Sequence, residues 1–174
     1  MKTNYKEKLN HVSTFIFDVD GVLTDGSVLM IPGHQPVRNF NTKDGFAIQL
    51  AMKKNYRIAI ITGGNSEAVK ERLQFLGVKD VFLGANEKKP VLEKYIKDSN
   101  LKPEEVLYMG DDLPDYDVMQ MVGVACSPAD AAPEIKAISD YVSLKLGGKG
   151  CVRDVIEQTL KVQHRWMEEG DKVW

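Results

Sequence analysis

The chain has 174 residues, enough for one well-buried domain and too few for two comfortable ones. With 43% hydrophobic and 28% charged residues and a formal net charge of −2, it lacks the basic footprint of a nucleic-acid binder. No apolar run reaches bilayer-spanning length and MKTNYKEKLN is too polar for a secretory core segment, so no membrane association and a cytoplasmic address are expected.

In chain order, the first apolar run is TFIF at 14–17, a predicted strand ending at Asp18-Val19-Asp20. GSVLMIPGHQPVRNFN, 26–41, reads as two extended runs around a Pro32-Gly33 turn, which predicts a β-hairpin flap. A helix is predicted over 45–54, then strand RIAII at 57–61 running into Thr62-Gly63-Gly64. Helix 66–76 follows, with Ser66 as its cap and Gly77 as its stop. Strand DVFL at 80–83 leads through Lys88-Lys89 into a helix over 90–99, started by Pro90. Strand EVLYM at 105–109 meets Gly110-Asp111-Asp112, and Pro114 and Asp115 open a helix over 114–122. Strands VGVAC (122–126) and YVSL (141–144) flank a helix at 133–138, and a final helix covers 151–166.

This alternation predicts an α/β fold: a doubly wound, mostly parallel, Rossmann-like sheet flanked by helices. One domain, 1–174, is expected, with the flap at 26–41 and a C-terminal helix and tail at 151–174. The hairpin, one helix and one strand fill the chain between Asp20 and Thr62, leaving no room for a cap domain. Cys126 and Cys151 show no disulfide or metal spacing, and His11, His34 and His164 are scattered.

In such sheets ligands bind beyond the carboxyl ends of the strands. Asp18 and Asp20, as i and i+2 of a strand, are expected to face one crevice, and Asp111 joins them from another strand end. Like charges at ~4 Å repel by about 4 kcal/mol at an effective dielectric near 20, so a cation is required. Hard carboxylate oxygens without His or Cys point to Mg²⁺. Asp115 reads equally as a helix N-terminal charge or as support behind the site, and Asp112 as support or solvent-facing.

DVDGVLTD, ITGG, the lysine of GANEKK and GDDLPD resemble, in order, the four motifs of haloacid dehalogenase-like phosphohydrolases. The resemblance implies that Asp18 is the nucleophile and Asp20 the general acid and base. It implies metal ligands from Asp18, the Asp20 backbone carbonyl and Asp111, phosphoryl contacts from Thr62, and charge neutralisation by Lys88 rather than Lys89. Asp112 and Asp115 would lie behind the metal.

The longer stretches FNTKDGFAIQLA, PADAAPEI and GGKGCVRDVIE are similar to the capless branch that dephosphorylates 3-deoxy-D-manno-octulosonate 8-phosphate. This implies a phosphorylated sugar acid as substrate, with the free acid serving lipopolysaccharide assembly. It also implies a homotetramer whose flaps pack together and whose C-terminal segments close neighbouring sites. The apolar flap residues Val28, Met30, Ile31, Val37 and Phe40 suit that intersubunit role or a cover for the chain's own site, and Trp166, Met167 and Trp174 read as interface anchors or a frayed end. Gly63 and Gly64 are substrate-binding candidates. Many branch members carry arginine where this chain has Gly64, so Arg72, Lys149 and Arg153 are candidate replacements. The GGKG turn at 147–150 reads either as an anion-binding nest or as a flexible turn. A nine-carbon sugar acid 9-phosphate, a catalytically silent assembly module and a phosphoprotein phosphatase remain as alternatives.

Overall fold

The computed structural model describes residues 4–173. Its six strands are β1 (Thr14–Phe17), β2 (Arg57–Ile61), β3 (Asp80–Phe82), β4 (Val106–Met109), β5 (Val124–Ser127) and β6 (Tyr141–Val142). They form one parallel sheet in the order β3-β2-β1-β4-β5-β6. The helices are α1 (Tyr5–Leu9), α2 (Thr42–Lys53), α3 (Glu67–Phe75), α4 (Lys88–Asp98), α5 (Tyr116–Met119), α6 (Pro133–Ile138) and α7 (Cys151–Val162).

Every residue of β1 is buried because helices cover both faces. Phe15 and Phe17 point into the layer completed by Ile48 of α2, Leu73 of α3 and Ile156 of α7. Ile16 points the other way, toward Leu92 of α4, Met119 of α5 and Ile135 of α6. This period-two alternation turns a continuous apolar run into two cores on a shared mount. From β1 the chain moves outward to β2 and β3, then crosses back from β3 to β4 on the other side of β1, so a topological switch point lies between the carboxyl ends of β1 and β4.

Several boundaries differ from the sequence expectation. The short helix α1 was not anticipated, and the fourth helix begins at Lys88, two residues before Pro90. The expected helix at 114–122 is a 3₁₀ turn, Leu113–Asp115, followed by the single turn of α5. The last helix stops at Val162, and β6 is two residues long. Ser66 stands at the start of α3 but makes no side-chain capping bond. The flap is an irregular loop carrying one antiparallel bridge, Leu29 to Val37. Pro32 and Pro36 lack the amide donors a ladder needs. The expected tight turn does form, closed by the His34 N–H on the Ile31 carbonyl at 3.0 Å with Gly33 at φ +78°.

Beyond α7 the chain folds back on its own body. Arg165 donates to the Lys54 carbonyl at 2.7 Å, and Lys54 pairs with Asp171 at 2.8 Å and with Glu168. The tail lies along α2, with Trp166 and Met167 near Phe46, Leu50 and Arg153, and with Asp171 at Lys54; Trp174 lies outside the described residues. Among the described residues no helix is long and apolar enough to cross a membrane.

Candidate active site

Asp18 is the first residue after β1, and its N–H donates to the Met109 carbonyl of β4 at 3.1 Å. Its Oδ1 accepts from the Val19 N–H at 2.6 Å, which fixes the side chain against its own turn. The expected strand geometry for Asp18 and Asp20 does not hold, because β1 has already ended. A kinked turn over Val19–Leu23 brings Asp20 round instead, with Gly21 at φ +88°. Only glycine fits there: a Cβ would sit 2.0 Å from Asp111 Oδ2.

Lys88, at the first turn of α4, is buried and reaches between two carboxylates, Asp18 Oδ2 at 3.0 Å and Asp115 Oδ1 at 2.7 Å. Its neighbour Lys89 is exposed. Burial opposes the Lys88 charge, but Asp18 and Asp115 outweigh it and hold the ammonium above its ordinary value. Burial and the nearby Asp115 charge push Asp18 up to about 6 against the opposing pull of Lys88. Burial, then Asp18 and Asp115, push Asp111 up to about 7.

Asp115 makes no helix cap. Its Oδ1 also accepts from the Tyr108 hydroxyl at 2.6 Å and its Oδ2 from the Asp111 N–H at 3.2 Å, so it holds Lys88 and the Asp111 backbone in place. Tyr108 is wholly buried and its phenol is pushed well up by burial and by Asp115, which keeps it a donor. Asp112 accepts from the Leu113 N–H at 2.8 Å and is exposed, starting the 3₁₀ turn.

Thr62 follows β2, buried, and its hydroxyl oxygen accepts from the Gly64 N–H at 3.2 Å. Asp18, Asp20, Lys88 and Asp111 share one cavity of about 420 Å³ with Thr62 and the Gly63-Gly64 turn. Asp112 and Asp115 also line it.

Oxygens of Asp18, Asp111 and Asp115 lie within 4.8 Å of one another. Three carboxylates held this close, with no nitrogen or sulfur donor among them, fit a small hard cation such as Mg²⁺. Asp115 accepts from Lys88, Tyr108 and the Asp111 N–H across its two oxygens, and Asp18 accepts from the Val19 N–H on one oxygen and faces Lys88 with the other.

A family model for haloacid dehalogenase-like hydrolases matches residues 42–123. The chain is 36% identical to 3-deoxy-D-manno-octulosonate 8-phosphate phosphatase of Salmonella typhi over 94% of its own length and 87% of that protein's. The chain belongs to the haloacid dehalogenase-like hydrolases. The corresponding Escherichia coli K12 phosphatase is 36% identical over 90% of this hydrolase and 83% of its own length. A Moraxella catarrhalis phosphatase of the same name, solved with magnesium, phosphate and KDO, superposes with a TM-score of 0.91 at 31% identity, covering 95% of both chains. The cobalt-bound Haemophilus influenzae phosphatase superposes with a TM-score of 0.87 at 32% identity, covering 90% of this hydrolase and 92% of that chain.

Three candidate cations of the hydrolase stand outside the cavity. Arg72 lies over the Phe75 ring, 5.6 Å from its centroid, and lines a separate cleft under the flap. Lys149 pairs with Asp25 at 3.3 Å, and Arg153 lies over the rings of Phe46 and Trp166 at 6.0 and 5.7 Å. The GGKG turn does not form an anion nest, because its four amides are already committed. They donate to Asp130 Oδ1, the Val22 carbonyl, the Leu146 carbonyl and Asp44 Oδ2 in chain order. Its glycines allow close packing instead: a Cβ on Gly147 would lie 2.0 Å from the Gly21 carbonyl oxygen.

Three site residues were not singled out from the sequence. Tyr108 reads simply as part of an apolar strand. Asp44 reads as an ordinary first-turn helix acid, yet it is buried and accepts from the Gly150 and Arg153 N–H groups at 3.2 and 2.7 Å, tying α2 to α7. Arg38 comes from the flap and grips Asp20 with both sides of its guanidinium, Nε to Oδ1 at 2.6 Å and Nη2 to Oδ2 at 3.0 Å.

Proposed function

We propose that this protein is a Mg²⁺-dependent phosphatase that hydrolyses 3-deoxy-D-manno-octulosonate 8-phosphate to the free sugar acid and phosphate. The observation that carries the reading is the buried Asp18–Lys88–Asp115 chain beside Asp111, at the switch point of the sheet.

In this reading an Asp18 oxygen attacks phosphorus, the bond from phosphorus to the sugar oxygen breaks, and Asp20 gives that oxygen its proton. The Asp20 carboxylate then takes a proton from water as the water attacks phosphorus, the bond to Asp18 breaks, and phosphate leaves. Asp18, the Asp20 backbone carbonyl and Asp111 are the ligands we assign to Mg²⁺. When bound, the ion supplies positive charge against the carboxylates and the phosphoryl oxygens. Lys88 holds Asp18 in position and balances its charge, while the Thr62 hydroxyl, held by the Gly64 N–H, and the Gly63 amide receive the phosphoryl oxygens. Asp115 fixes Lys88, and Asp112 shapes the turn that carries Asp111.

Without a cap domain, closure and further recognition fall to other copies of the chain. Val28, Leu29, Met30, Ile31 and Val37 expose between 41% and 67% of their surface on the flap, which supports a homotetramer. Arg72, Lys149 and Arg153 are assigned to substrate recognition in that assembly, and the enzyme is read as cytoplasmic. The test is phosphate release from a panel of eight- and nine-carbon sugar acid phosphates and neutral sugar phosphates, with Mg²⁺ and with EDTA. Metal-dependent release led by the eight-carbon ester is expected; preference for another ester, or undiminished release in EDTA, would contradict the reading.

A further inference from the structure

The Arg38–Asp20 pair conflicts with the task assigned to Asp20. Both Asp20 oxygens are held by one guanidinium, Nε on Oδ1 at 2.6 Å and Nη2 on Oδ2 at 3.0 Å, so neither is free to face a leaving group or a water. The clamp therefore has to open during turnover, and something has to take the guanidinium.

Geometry indicates what takes it. Gly64 leaves a space beside the phosphoryl loop: a Cβ built there would lie 3.5 Å from Thr62 Oγ1, 3.6 Å from Asp20 Oδ2 and 3.8 Å from Arg38 Nη2. Arg38 reaches that space from the flap, and its side chain is 12% exposed. On its other side Arg38 lines a cleft of about 320 Å³ between the flap and α3, where Arg72 is a second cation. Two arginines, with no carboxylate among the residues lining that cleft, make it a receptor for an anion.

We propose that Arg38 is a specificity-determining residue whose guanidinium moves from Asp20 to the carboxylate of the bound sugar acid, so that only a substrate bearing this second anion frees Asp20. The inference rests on the sugar-acid phosphatase reading above. The exchange replaces one carboxylate partner by another, so the guanidinium stays paired throughout. It also makes the flap, through Arg38, a sensor of correct substrate.

The experiment compares the native protein, Arg38→Met and Arg38→Lys on 3-deoxy-D-manno-octulosonate 8-phosphate and on a neutral aldose phosphate, with melting temperature recorded for each protein. The expected result is that Arg38→Met lowers the ratio of kcat/KM for the acid ester to that for the neutral ester by about tenfold or more, through KM, as loss of a charged hydrogen bond requires. Arg38→Lys recovers part of the ratio. A proportional fall in kcat for both esters, or an unchanged ratio, would assign Arg38 to anchoring the flap and overturn the proposal. If the native protein itself shows no preference for the acid ester, the substrate reading fails and the proposal falls with it.

Discussion

The Lys88 ammonium lies 3.0 Å from an Asp18 carboxylate oxygen, and both side chains are buried. A buried charge left without its partner costs about 3–5 kcal/mol. Lys88→Met is therefore expected to destabilise the metal-free protein by about that amount and, losing one fixed donor at the reacting centre, to lower kcat by about 10²–10³-fold. Denaturant titration and phosphate release check the two parts, and a variant with native stability and turnover would show that the contact is incidental.

Burial first, and then the like charges of Asp18 and Asp115, push the Asp111 carboxyl up to about 7. Replacing it by asparagine removes repulsion together with the metal ligand proposed above. Without metal, Asp111→Asn should melt higher than the native protein. With saturating Mg²⁺ the order should reverse, since a ligand at ~100 times its Kd stabilises only the binder, by about 2.7 kcal/mol. Thermal melts in EDTA and in Mg²⁺ decide it; a variant that keeps the full Mg²⁺ shift would place the ion elsewhere.

Asp44 carries a pH signature. Burial pushes its carboxyl from 3.8 up to about 6, against the favourable bonds from the Arg153 and Gly150 N–H groups. The folded protein thus binds this proton more tightly than the unfolded chain does. Its contribution is complete below pH 3.8 and is lost as pH rises through about 6. At ~1.4 kcal/mol per unit the native protein should lose about 3 kcal/mol from this group, and Asp44→Asn should not. Urea unfolding of both proteins between pH 4 and 7 isolates the difference; parallel curves would contradict the assignment.

Gly147 presses on the loop that carries Asp20. Because a methyl group there would meet the Gly21 carbonyl oxygen at 2.0 Å, Gly147→Ala must shift one backbone or the other. Overpacking of this kind costs about 1–3 kcal/mol. Gly147→Ala should also lower kcat, by displacing Gly21 from Asp111, whereas Leu144→Ala, at an exposed position just before the same turn, should leave kcat close to native. Equal effects of the two changes would mean that the turn does not support the site.

What could be read from sequence follows from the range over which each signal acts. β1 and β2 coincide with TFIF and RIAII, because the buried stretches 15–17 and 58–61 carry no polar residue to blur their limits. The segment after β4 fragments because Pro114 and the side chain of Asp112 favour a 3₁₀ turn, and helical periodicity does not register that competition. Polar residues at strand ends stand out against an apolar run, so the cavity-lining Asp18, Asp20, Thr62 and Asp111 were legible. Arg38 and Asp44 were not: one reaches its partner from an irregular loop, the other spans 109 positions to Arg153, and neither distance leaves a local pattern. Tyr108 shows the same limit, since only the fold reveals which end of a buried phenol meets Asp115.

In the proposed reaction Asp18 carries the phosphoryl group. The direct measurement is acid quenching during turnover of 3-deoxy-D-manno-octulosonate 8-phosphate, followed by mass analysis of the peptide containing Asp18, for the native protein and for Asp18→Asn. The expected result is one added phosphoryl group on the native peptide, none on the variant, and a fall in turnover of at least about 10⁴-fold in the variant. Native-level turnover by Asp18→Asn, or a phosphoryl group on another residue, would contradict it.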